Sequence, residues 1–288
     1  MDLLSPDELS TRFPWIKSVD IECASLGLRN EGWFDPWSLL MTLKDKAKSL
    51  GVQYHYGKVT GMTCNEKQIT SVSYQDSMRK EQMRLTSDVV INAAGAWSKS
   101  VMEMANITSF PVEARKRSVF SIHCPAFEEN HEFHKACPLV VDPSGVYFRP
   151  EGPPGMFICG VSPPEDQDKE SLHDDDLDFP DHYLFDEIIW PALAHRVKAF
   201  ESIKVKHSWA GYYAYNTLDQ NALIGKHPEK DNLFMATGFS GHGLQQAPGV
   251  GRGMAELLLD GGYQTIDLSA FSYDRVIKNR PIFEQNIV

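Results

Sequence analysis

A run of six residues, Gly238-Phe-Ser-Gly-His-Gly, has the composition of a ligand-binding loop. The apolar residues 233–236 before it predict a short buried strand, and the pattern from about Pro248 to the glycines at 261 and 262 predicts a helix. In such a strand–loop–helix unit, the backbone N–H groups at the helix N-terminus favour an anion or a group that becomes anionic. These residues therefore predict a site for an electron-rich ligand.

Three interpretations of this loop compete. A hydrolase nucleophile elbow requires Gly-x-Ser-x-Gly, but His242 stands in the fifth position. A phosphate loop requires a lysine after the glycines, and none follows. A tight structural turn stays open as an interpretation, but six glycines within residues 238–253, with a histidine among them, favour a cofactor-binding loop.

Basic and aromatic side chains on predicted strands form a second candidate group. In strand alternation Arg115 and Arg117 share one face and Lys116 takes the other, and Tyr147 and Arg149 likewise share a face. Such basic faces are either solvated or able to meet the carboxylate of a substrate.

Other arrangements carry weaker signals. The tyrosines at 212, 213 and 215 are more typical of core packing than of a flat-ring cofactor. Cys124, His131, His134 and Cys137 have spacings that a metal accepts but match no closed zinc pattern, so no metal is expected. The acidic run at 174–176 is typical of a solvated loop. No local signature marks the serine of a Ser-His-Asp triad, and no catalytic base is identified.

Strands and helices must position these groups. Residues 86–97 predict a buried strand that ends in Ala-Ala-Gly-Ala before Trp97, and a helix is predicted from Ser98 to about Asn106. Small residues at a strand end let a flat ligand approach closely. Further strands are predicted at 52–56, 58–64, 69–75, 111–123, 139–141, 145–149, 156–160 and 205–213, and further helices at 36–49 and 186–200. The strands between 111 and 207 predict an antiparallel sheet.

Composition excludes several classes of protein. The chain has 288 residues, of which 42% are hydrophobic, as expected for a soluble globular protein. Its net charge of −11 disfavours nucleic acid or an anionic membrane as a partner, and no stretch approaches a transmembrane span. Five cysteines without a Cys-x-x-Cys pair suit a reducing compartment. The acidic N-terminus resembles neither a signal nor a transit peptide.

Taken in order, three motifs resemble the D-amino-acid oxidase and sarcosine oxidase/dimethylglycine dehydrogenase family of FAD enzymes. The motifs are Glu31-Gly-Trp-Phe-Asp-Pro, Val90-Ile-Asn-Ala-Ala-Gly-Ala-Trp and Gly238-Phe-Ser-Gly-His-Gly. The resemblance implies an α/β (α+β) fold, in which a Rossmann-like FAD domain is joined to a substrate domain with an antiparallel sheet. It also implies FAD as the cofactor, and oxidation of a C–N bond in an amine or amino acid.

The same resemblance implies domains and site residues. Residues 1–110 would hold segments of both domains, including the strand-end motif at 90–97, residues 111–207 the substrate domain, and residues 208–288 the return to the FAD domain with its flavin loop at 238–251. The residues expected to bind the cofactor are Val59, Gly95, Ala96, Trp97, Gly238, Phe239, Ser240, Gly241, His242, Gly243, Leu244 and Gln245. The residues expected to face the substrate are Arg117, Tyr147, Arg149 and Tyr213.

The chain departs from the family pattern in three respects. The opening strand–Gly-x-Gly-x-x-Gly–helix unit and its ribose-binding acid are not found, so we expect an N-terminally truncated FAD domain, lacking its first βαβ unit, with weak FAD affinity. Gln245 and Gln246 stand where sarcosine-type amine oxidases carry a lysine for the substrate carboxylate. No cysteine follows Cys159, so a covalent flavin tether is not expected and FAD would be bound non-covalently.

Further stretches resemble a mitochondrial branch of the family that is implicated in assembly of respiratory complex I. They are residues 31–37, 211–221 and 238–251, with the sequence Gln264-Thr-Ile-Asp-Leu-Ser. This resemblance implies a location at the mitochondrial inner membrane or matrix side, a link to electron transport, and complex I subunits or assembly factors as partners. A non-catalytic assembly or scaffold factor, or an inactive truncated isoform, are the alternatives.

Overall fold

The computed structural model describes residues 1–129, 131–173 and 176–283, and these form two compact units. The first unit contains residues 1–35 and 116–211, and the second contains residues 36–115 and the described part of 212–287. The sequence-based division at 110/111 and 207/208 groups the first 35 residues differently, and it stays a prediction.

The strands of the described residues are β1 (Asp2–Leu4), β2 (Ala24–Leu26), β3 (Gly57–Cys64), β4 (Ile69–Asp76), β5 (Gln82–Leu85), β6 (Val90–Asn92), β7 (Val112–His123), β8 (Val140–Val141), β9 (Tyr147–Pro150), β10 (Met156–Gly160), β11 (Lys204–Asn216), β12 (Leu223–Lys226) and β13 (Leu233–Thr237). The α-helices are α1 (Pro6–Arg12), α2 (Pro36–Ser49), α3 (Ser98–Met104), α4 (His131–Ala136), α5 (His182–Leu184), α6 (Trp190–Arg196), α7 (Gly243–Leu259) and α8 (Asp274–Ile277). A π-helical turn at Phe185–Ile189 joins α5 to α6, and the main 3-10 turns are Gly95–Trp97 and Lys198–Ser202.

The first unit is built on a sheet with the strand order β11-β7-β10-β9-β8. Its strands β7, β10, β9 and β8 pair antiparallel, as predicted for this part of the chain. Alternation sends one face of the sheet into an aromatic core. The fully buried side chains of that core include Phe120, Phe148, Phe157, Phe200, Leu184 and Leu193. The opposite face carries polar and charged groups, among them Arg117, Tyr147 and Arg149.

The second unit contains two small sheets. In the sheet β12-β13-β6, strand β13 runs antiparallel to β12 and parallel to β6, and β3-β4-β5 form an antiparallel sheet. Helix α7 packs Val250 and Met254 into a core with Ile224 and Leu268. A Cβ atom added at Gly253 would come within 2.6 Å of the Leu268 side chain, so the absence of a side chain at this position lets the helix pack closely against Leu268.

Three sequence-based boundaries are wrong. Helix α7 begins at Gly243 rather than near Pro248, because the carbonyl that the proline leaves unbonded lies in an exposed turn where water can reach it. Residues 52–56 are exposed and form no strand, since no neighbouring strand pairs with them. Strand β6 contains only three residues, of which only Asn92 is buried, because its pairing with β13 ends at Asn92.

A buried ion pair between Asp219 and Arg275 joins several loops of the second unit. Arg275 donates to both carboxylate oxygens of Asp219, at 2.8 and 3.2 Å, and to the carbonyls of Asn221 and Ala222 at 2.8 Å. Burial acts to raise the pKa of Asp219, but hydrogen bonds from Arg275 and from the N–H groups of Ile282 and Asn221 outweigh it and hold the pKa below its ordinary value. The carboxylate is therefore the form that the fold requires.

His227 is a second buried polar group in this unit. Its side chain is fully buried, its ring lies 4.4 Å from that of Tyr273, and Nδ1 accepts a hydrogen bond from the N–H of Glu229 at 3.3 Å. Its Nε2 atom has no partner among the described residues. Burial lowers the pKa of His227 to about 4, so the ring is neutral in the folded state.

We expect the Asp219→Asn variant to lose about 3–5 kcal/mol of unfolding free energy at neutral pH, because Arg275 is left buried without its counter-charge. The pair contributes at pH values above the ordinary carboxyl pKa of 3.8, and its contribution disappears as the pH falls through the lower folded-state pKa. Urea unfolding followed by tryptophan fluorescence measures the loss. The control is Asp274→Asn, which breaks an exposed pair with Lys278 and should cost less than about 1 kcal/mol. Equal losses in the two variants would contradict this account.

We also expect His227 to weaken the fold on acidification. Its folded-state pKa is depressed, so the full contribution is present above the ordinary value of 6.5 and is lost as the pH falls towards 4, by at most about 3 kcal/mol. In His227→Asn the amide oxygen can still accept from Glu229, but no proton is taken up in that range. Unfolding free energies of the variant should therefore fall less between pH 6.5 and 4 than those of the wild type. The exposed His207→Asn serves as the control, and parallel curves for His227→Asn and the wild type would show that His227 is not responsible.

Candidate functional site

The two glycine-containing segments predicted to bind the cofactor follow neighbouring parallel strands. Strand β13 pairs with β6 in parallel, with Leu233 opposite Val90 and Met235 opposite Asn92. The carboxyl ends of parallel strands lie at the same edge of a sheet, which is where ligands bind in open α/β sheets. The 3-10 turn at Gly95–Trp97 and the loop from Gly238 are therefore brought to one edge of the second unit.

Thr237, the last residue of β13, joins the two segments. Its hydroxyl lies 2.6 Å from that of Ser98 and 3.4 Å from the carbonyl oxygen of Gly95. On the β6 side, Asn92 donates to the carbonyl of Ser98 at 2.9 Å and accepts from the N–H of Ala94 at 3.2 Å. All of these contacts involve buried side chains, so the 3-10 turn is fixed with respect to the strand end.

The loop itself has a strained backbone that needs internal support. Gly238, Ser240 and Gly241 have φ angles of +71°, +46° and +94°. The left-handed conformation is energetically less favourable for a serine than for a glycine. Ser240 is buried, and its hydroxyl accepts from the N–H of Asn216 at 3.0 Å while its own N–H donates to Ala214 at 2.8 Å. The hydroxyl therefore anchors the loop. The expected contact of Ser240 with the cofactor stays a prediction.

Open space and uncapped donors adjoin this loop. A Cβ atom added at Gly95 or Gly241 would meet no described atom within 4 Å. The N-cap residue of α7, His242, makes no side-chain cap hydrogen bond, and the following Leu244 and Gln245 are exposed. The first N–H groups of a helix have no acceptor within it, so they remain available to an electron-rich group. These residues fit a large, flat and partly anionic cofactor such as a flavin dinucleotide.

The remaining predicted cofactor residues occupy three kinds of position. Trp97 is half exposed, and its ring meets the ring of Tyr212 edge-on at a centroid distance of 6.0 Å. Val59 is partly exposed on β3. Ala96 is buried, and Phe239 packs in the core beneath Gly243, where an added Cβ would lie 3.3 Å from its side chain.

In the first unit, each guanidinium predicted to face a substrate is paired with a carboxylate of the chain. Arg117 donates from Nη1 and Nη2 to the two oxygens of Asp168, both at 2.7 Å. Arg149 forms an ion pair with Glu151 and lies 5.5 Å from the ring centroid of Trp33. These partners were missed, because nothing in the sequence singles out an acid 51 residues away from Arg117.

The other two predicted substrate residues lie in different units. Tyr147 belongs to the first unit, and its ring crosses Gly160, where an added Cβ would come within 2.5 Å of the phenol oxygen. Tyr213 belongs to the second unit, and its ring lies 6.3 Å from that of Tyr215. Arg115, also in the second unit, pairs with Glu113 at 2.6 Å and lies over the Tyr215 ring.

The cysteines and histidine of the weak metal pattern have structural surroundings. Cys124 donates from Sγ to the carbonyl of Ala199 at 3.3 Å, and burial raises the pKa of Cys137 to about 12. His134 bonds to the carbonyl of Gly152 at 3.0 Å. The side chain of His131 and the acids at 174 and 175 lie outside the described residues. Across the residues that are described, no three metal-binding side chains come together.

No helix in the described ranges has both the length and the apolar character needed to cross a bilayer.

Residues 1–257 match the family DAO, described as FAD dependent oxidoreductase. FAD-dependent oxidoreductase domain-containing protein 1 of Xenopus laevis is 46% identical over 309 residues, which cover 99% of this chain and 60% of that protein. The Drosophila melanogaster homolog is 33% identical, covering 100% of this chain and 58% of that protein. Monomeric sarcosine oxidase of Bacillus sp. is 24% identical and covers 100% of this chain and 69% of that protein. The chain thus spans about three fifths of the length of the first two relatives.

Solved structures show the same fold. L-proline dehydrogenase from P. horikoshii superposes with a TM-score of 0.82 at 24% identity, covering 98% of this chain and 70% of that one. Glycine oxidase from Geobacillus kaustophilus superposes with a TM-score of 0.73 at 19% identity, covering 94% and 66%. The predicted α/β fold with an antiparallel sheet is therefore confirmed. With its family match over most of its length, the chain belongs to the DAO family of FAD-dependent oxidoreductases.

Proposed function

We propose that this chain is part of an FAD-dependent oxidoreductase that oxidises a C–N bond in an amine or amino acid. The observation that carries the proposal is the edge of the second unit, where Gly95–Trp97 and Gly238–Gln245 follow parallel strands and leave open space beside an uncapped helix. Relatives and structural neighbours that bear the names sarcosine oxidase, L-saccharopine oxidase and L-proline dehydrogenase support an amino acid or related amine as substrate.

FAD, when bound, accepts the two electrons removed from the C–N bond. The chain's own residues bind and orient the cofactor: glycines at 95 and 241 leave room for it, and the first N–H groups of α7 offer hydrogen bonds. The positive end of that helix stabilises nearby negative charge by about 0.3–1 kcal/mol, or somewhat more in a partly buried geometry. No catalytic base is assigned to His242 or to another residue.

The proposal includes a mitochondrial location, a link to electron transport, and complex I subunits or assembly factors as partners. Its support is the resemblance of residues 31–37, 211–221 and 238–251 to the mitochondrial branch of the family. Fractionation of cells that express a tagged form of the protein, followed by identification of co-purifying proteins, tests this part. Recovery in another compartment without respiratory-complex subunits would contradict it.

A non-catalytic assembly factor that retains the flavoprotein fold is the second candidate. Two observations favour it. Gln245 and Gln246 are exposed at the first turn of α7 and supply no charge for a substrate carboxylate, and α2 exposes Trp37, Leu40 and Leu43. Exposed apolar patches are typical of protein-binding surfaces. Bound flavin that no amine reduces, together with co-purified complex I subunits, would support this role, whereas steady turnover of an amine without such partners would exclude it.

We expect the Gly95→Asn variant to bind FAD at least about tenfold more weakly, a loss of roughly 1.4 kcal/mol. Asparagine tolerates the φ of +56° at this position, and its side chain would occupy the space that the cofactor needs. Flavin absorbance of the purified protein and a titration with FAD measure binding, both in this chain and in a protein of the relatives' full length.

Gly261→Asn is the matched control. Its φ is +75°, an added Cβ would likewise meet nothing described within 4 Å, and the residue lies beyond the far end of α7. This variant should bind FAD as the unsubstituted protein does. If the two variants bind FAD equally well, the cofactor does not lie beside Gly95. If neither this chain nor the protein of the relatives' full length binds flavin, the proposed function itself is contradicted.

A further inference from the structure

One face of the first unit's sheet carries the polar groups predicted to meet the substrate. The register places Ile158 between Ser121 and Arg149, and Gly160 between Val119 and Tyr147. Alternation along β7 then puts Arg117 on the same face as Val119. We call this set the arginine face, and its polar members are Arg117, Tyr147 and Arg149.

The chain itself supplies a carboxylate to Arg117. Nη1 of the guanidinium donates to Oδ1 of Asp168 and Nη2 donates to Oδ2, each at 2.7 Å, and Nη1 also donates to the carbonyl of Lys116. The two side chains are each about 15% exposed. A paired fork of this kind is the geometry with which an arginine recognises a carboxylate ligand. Asp168 therefore occupies the edge of the guanidinium with which Arg117 could pair with the carboxylate of a ligand.

The segment that carries Asp168 is fastened independently of Arg117. On the other side of β7, Lys116 pairs with Asp176 at 3.1 Å and with Asp181 at 3.0 Å, and the N–H of Asp181 donates to the hydroxyl of Ser118 at 2.9 Å. Near Asp168 itself, its N–H closes a turn onto the carbonyl of Pro164 at 2.9 Å. Asp168 is thus preorganised, and a soluble carboxylate must compete with an acid that loses little freedom on pairing.

Tyr147 differs from the two arginines. Burial raises the pKa of its phenol, so the group is neutral. Its ring lies across Gly160, and within the described part of the chain no hydrogen bond to its hydroxyl is formed. The arginine face therefore offers a neutral hydroxyl near two guanidinium groups that already have carboxylate partners.

We propose that Asp168 occupies Arg117, so that the arginine face of the first unit binds an amine without a free carboxylate. The neutral carbonyl of such an amine, an amide for example, would accept a hydrogen bond from the hydroxyl of Tyr147. The substrate part of this inference rests on the proposed function. The pairing of Arg117 with Asp168 does not depend on that function.

Chemical rescue tests the pairing without flavin. In Asp168→Ala the partly buried guanidinium of Arg117 loses the carboxylate with which both Nη atoms pair, so acetate should bind in its place and raise the melting temperature in a concentration-dependent way. Acetamide at the same concentration should not, nor should chloride at the same ionic strength. In the wild type, acetate should have no more effect than chloride.

Asp181→Ala is the matched control, because it removes an acid of the same segment that pairs with Lys116 and leaves Arg117 paired. It should lose stability without gaining acetate rescue. If Asp168→Ala does not fold, Asp168→Ser takes its place, because the shorter polar side chain removes the charge and still leaves room for acetate. An acetate effect in the wild type that Arg117→Gln abolishes would overturn the proposal, as would the absence of rescue in both Asp168 variants.

The substrate class is tested in flavin-loaded protein of the relatives' length, with N-methylglycine and N-methylglycinamide as probes. The ratio of kcat/KM for the amide over the acid should exceed one, and Asp168→Ser should move that ratio towards the acid by at least about tenfold. A ratio that favours the acid in the wild type would overturn the proposal. Failure of both probes to reduce flavin would count against the proposed function, while the rescue result would still decide the pairing.

Discussion

A single buried carboxylate, Asp219, joins the parts of the second unit on which its site depends. It receives hydrogen bonds from Arg275 and from the side chain of Asn216, the last residue of β11. The backbone N–H groups of Asn221 and Ile282 donate to the same carboxylate, so the turn before β12 and the described end of the chain meet there. The N–H of Asn216 in turn donates a hydrogen bond to the hydroxyl of Ser240. A buried charge with this many donors stabilises one arrangement of loops, because any other arrangement leaves it unpaired.

The flavin loop depends on that arrangement. Gly238 can lie where it does because it has no side chain: a Cβ there would come within 3.1 Å of Val112. Ser240 keeps its left-handed backbone because two buried hydrogen bonds compensate for the strain. Thr237 then ties the same strand end to the turn at Gly95. The result is a rigid edge with open space beside it, which is what a site that binds a cofactor without reorganising requires.

The first unit uses its charges differently. Its aromatic core fixes one face of the sheet, and the opposite face is left with arginines that are neutralised by acids of the same chain. A family site that binds amino acids would be expected to keep a cation available for the carboxylate. In this chain Gln245 and Gln246 are uncharged, and Arg117 is already paired with Asp168. Neither set of residues therefore matches the expectation of a cation that is available for a substrate carboxylate.

Residue types and local spacing were sufficient to predict the glycine loop after 233–236, the small-residue strand end at 90–97 and the limits of β10. Each of these follows from backbone conformations and side-chain alternation within a few residues of the chain. Alternation also placed Tyr147 and Arg149 on one strand face. The pairing of Arg117 with Asp168, of Asp219 with Arg275, and of β13 with β6 joins residues 51, 56 and more than 140 positions apart. Such contacts depend on where the folded chain brings distant segments together. The charge of Arg117 could be read from the sequence, but whether that charge is available to a ligand could not, because it depends on which acid the fold places against it.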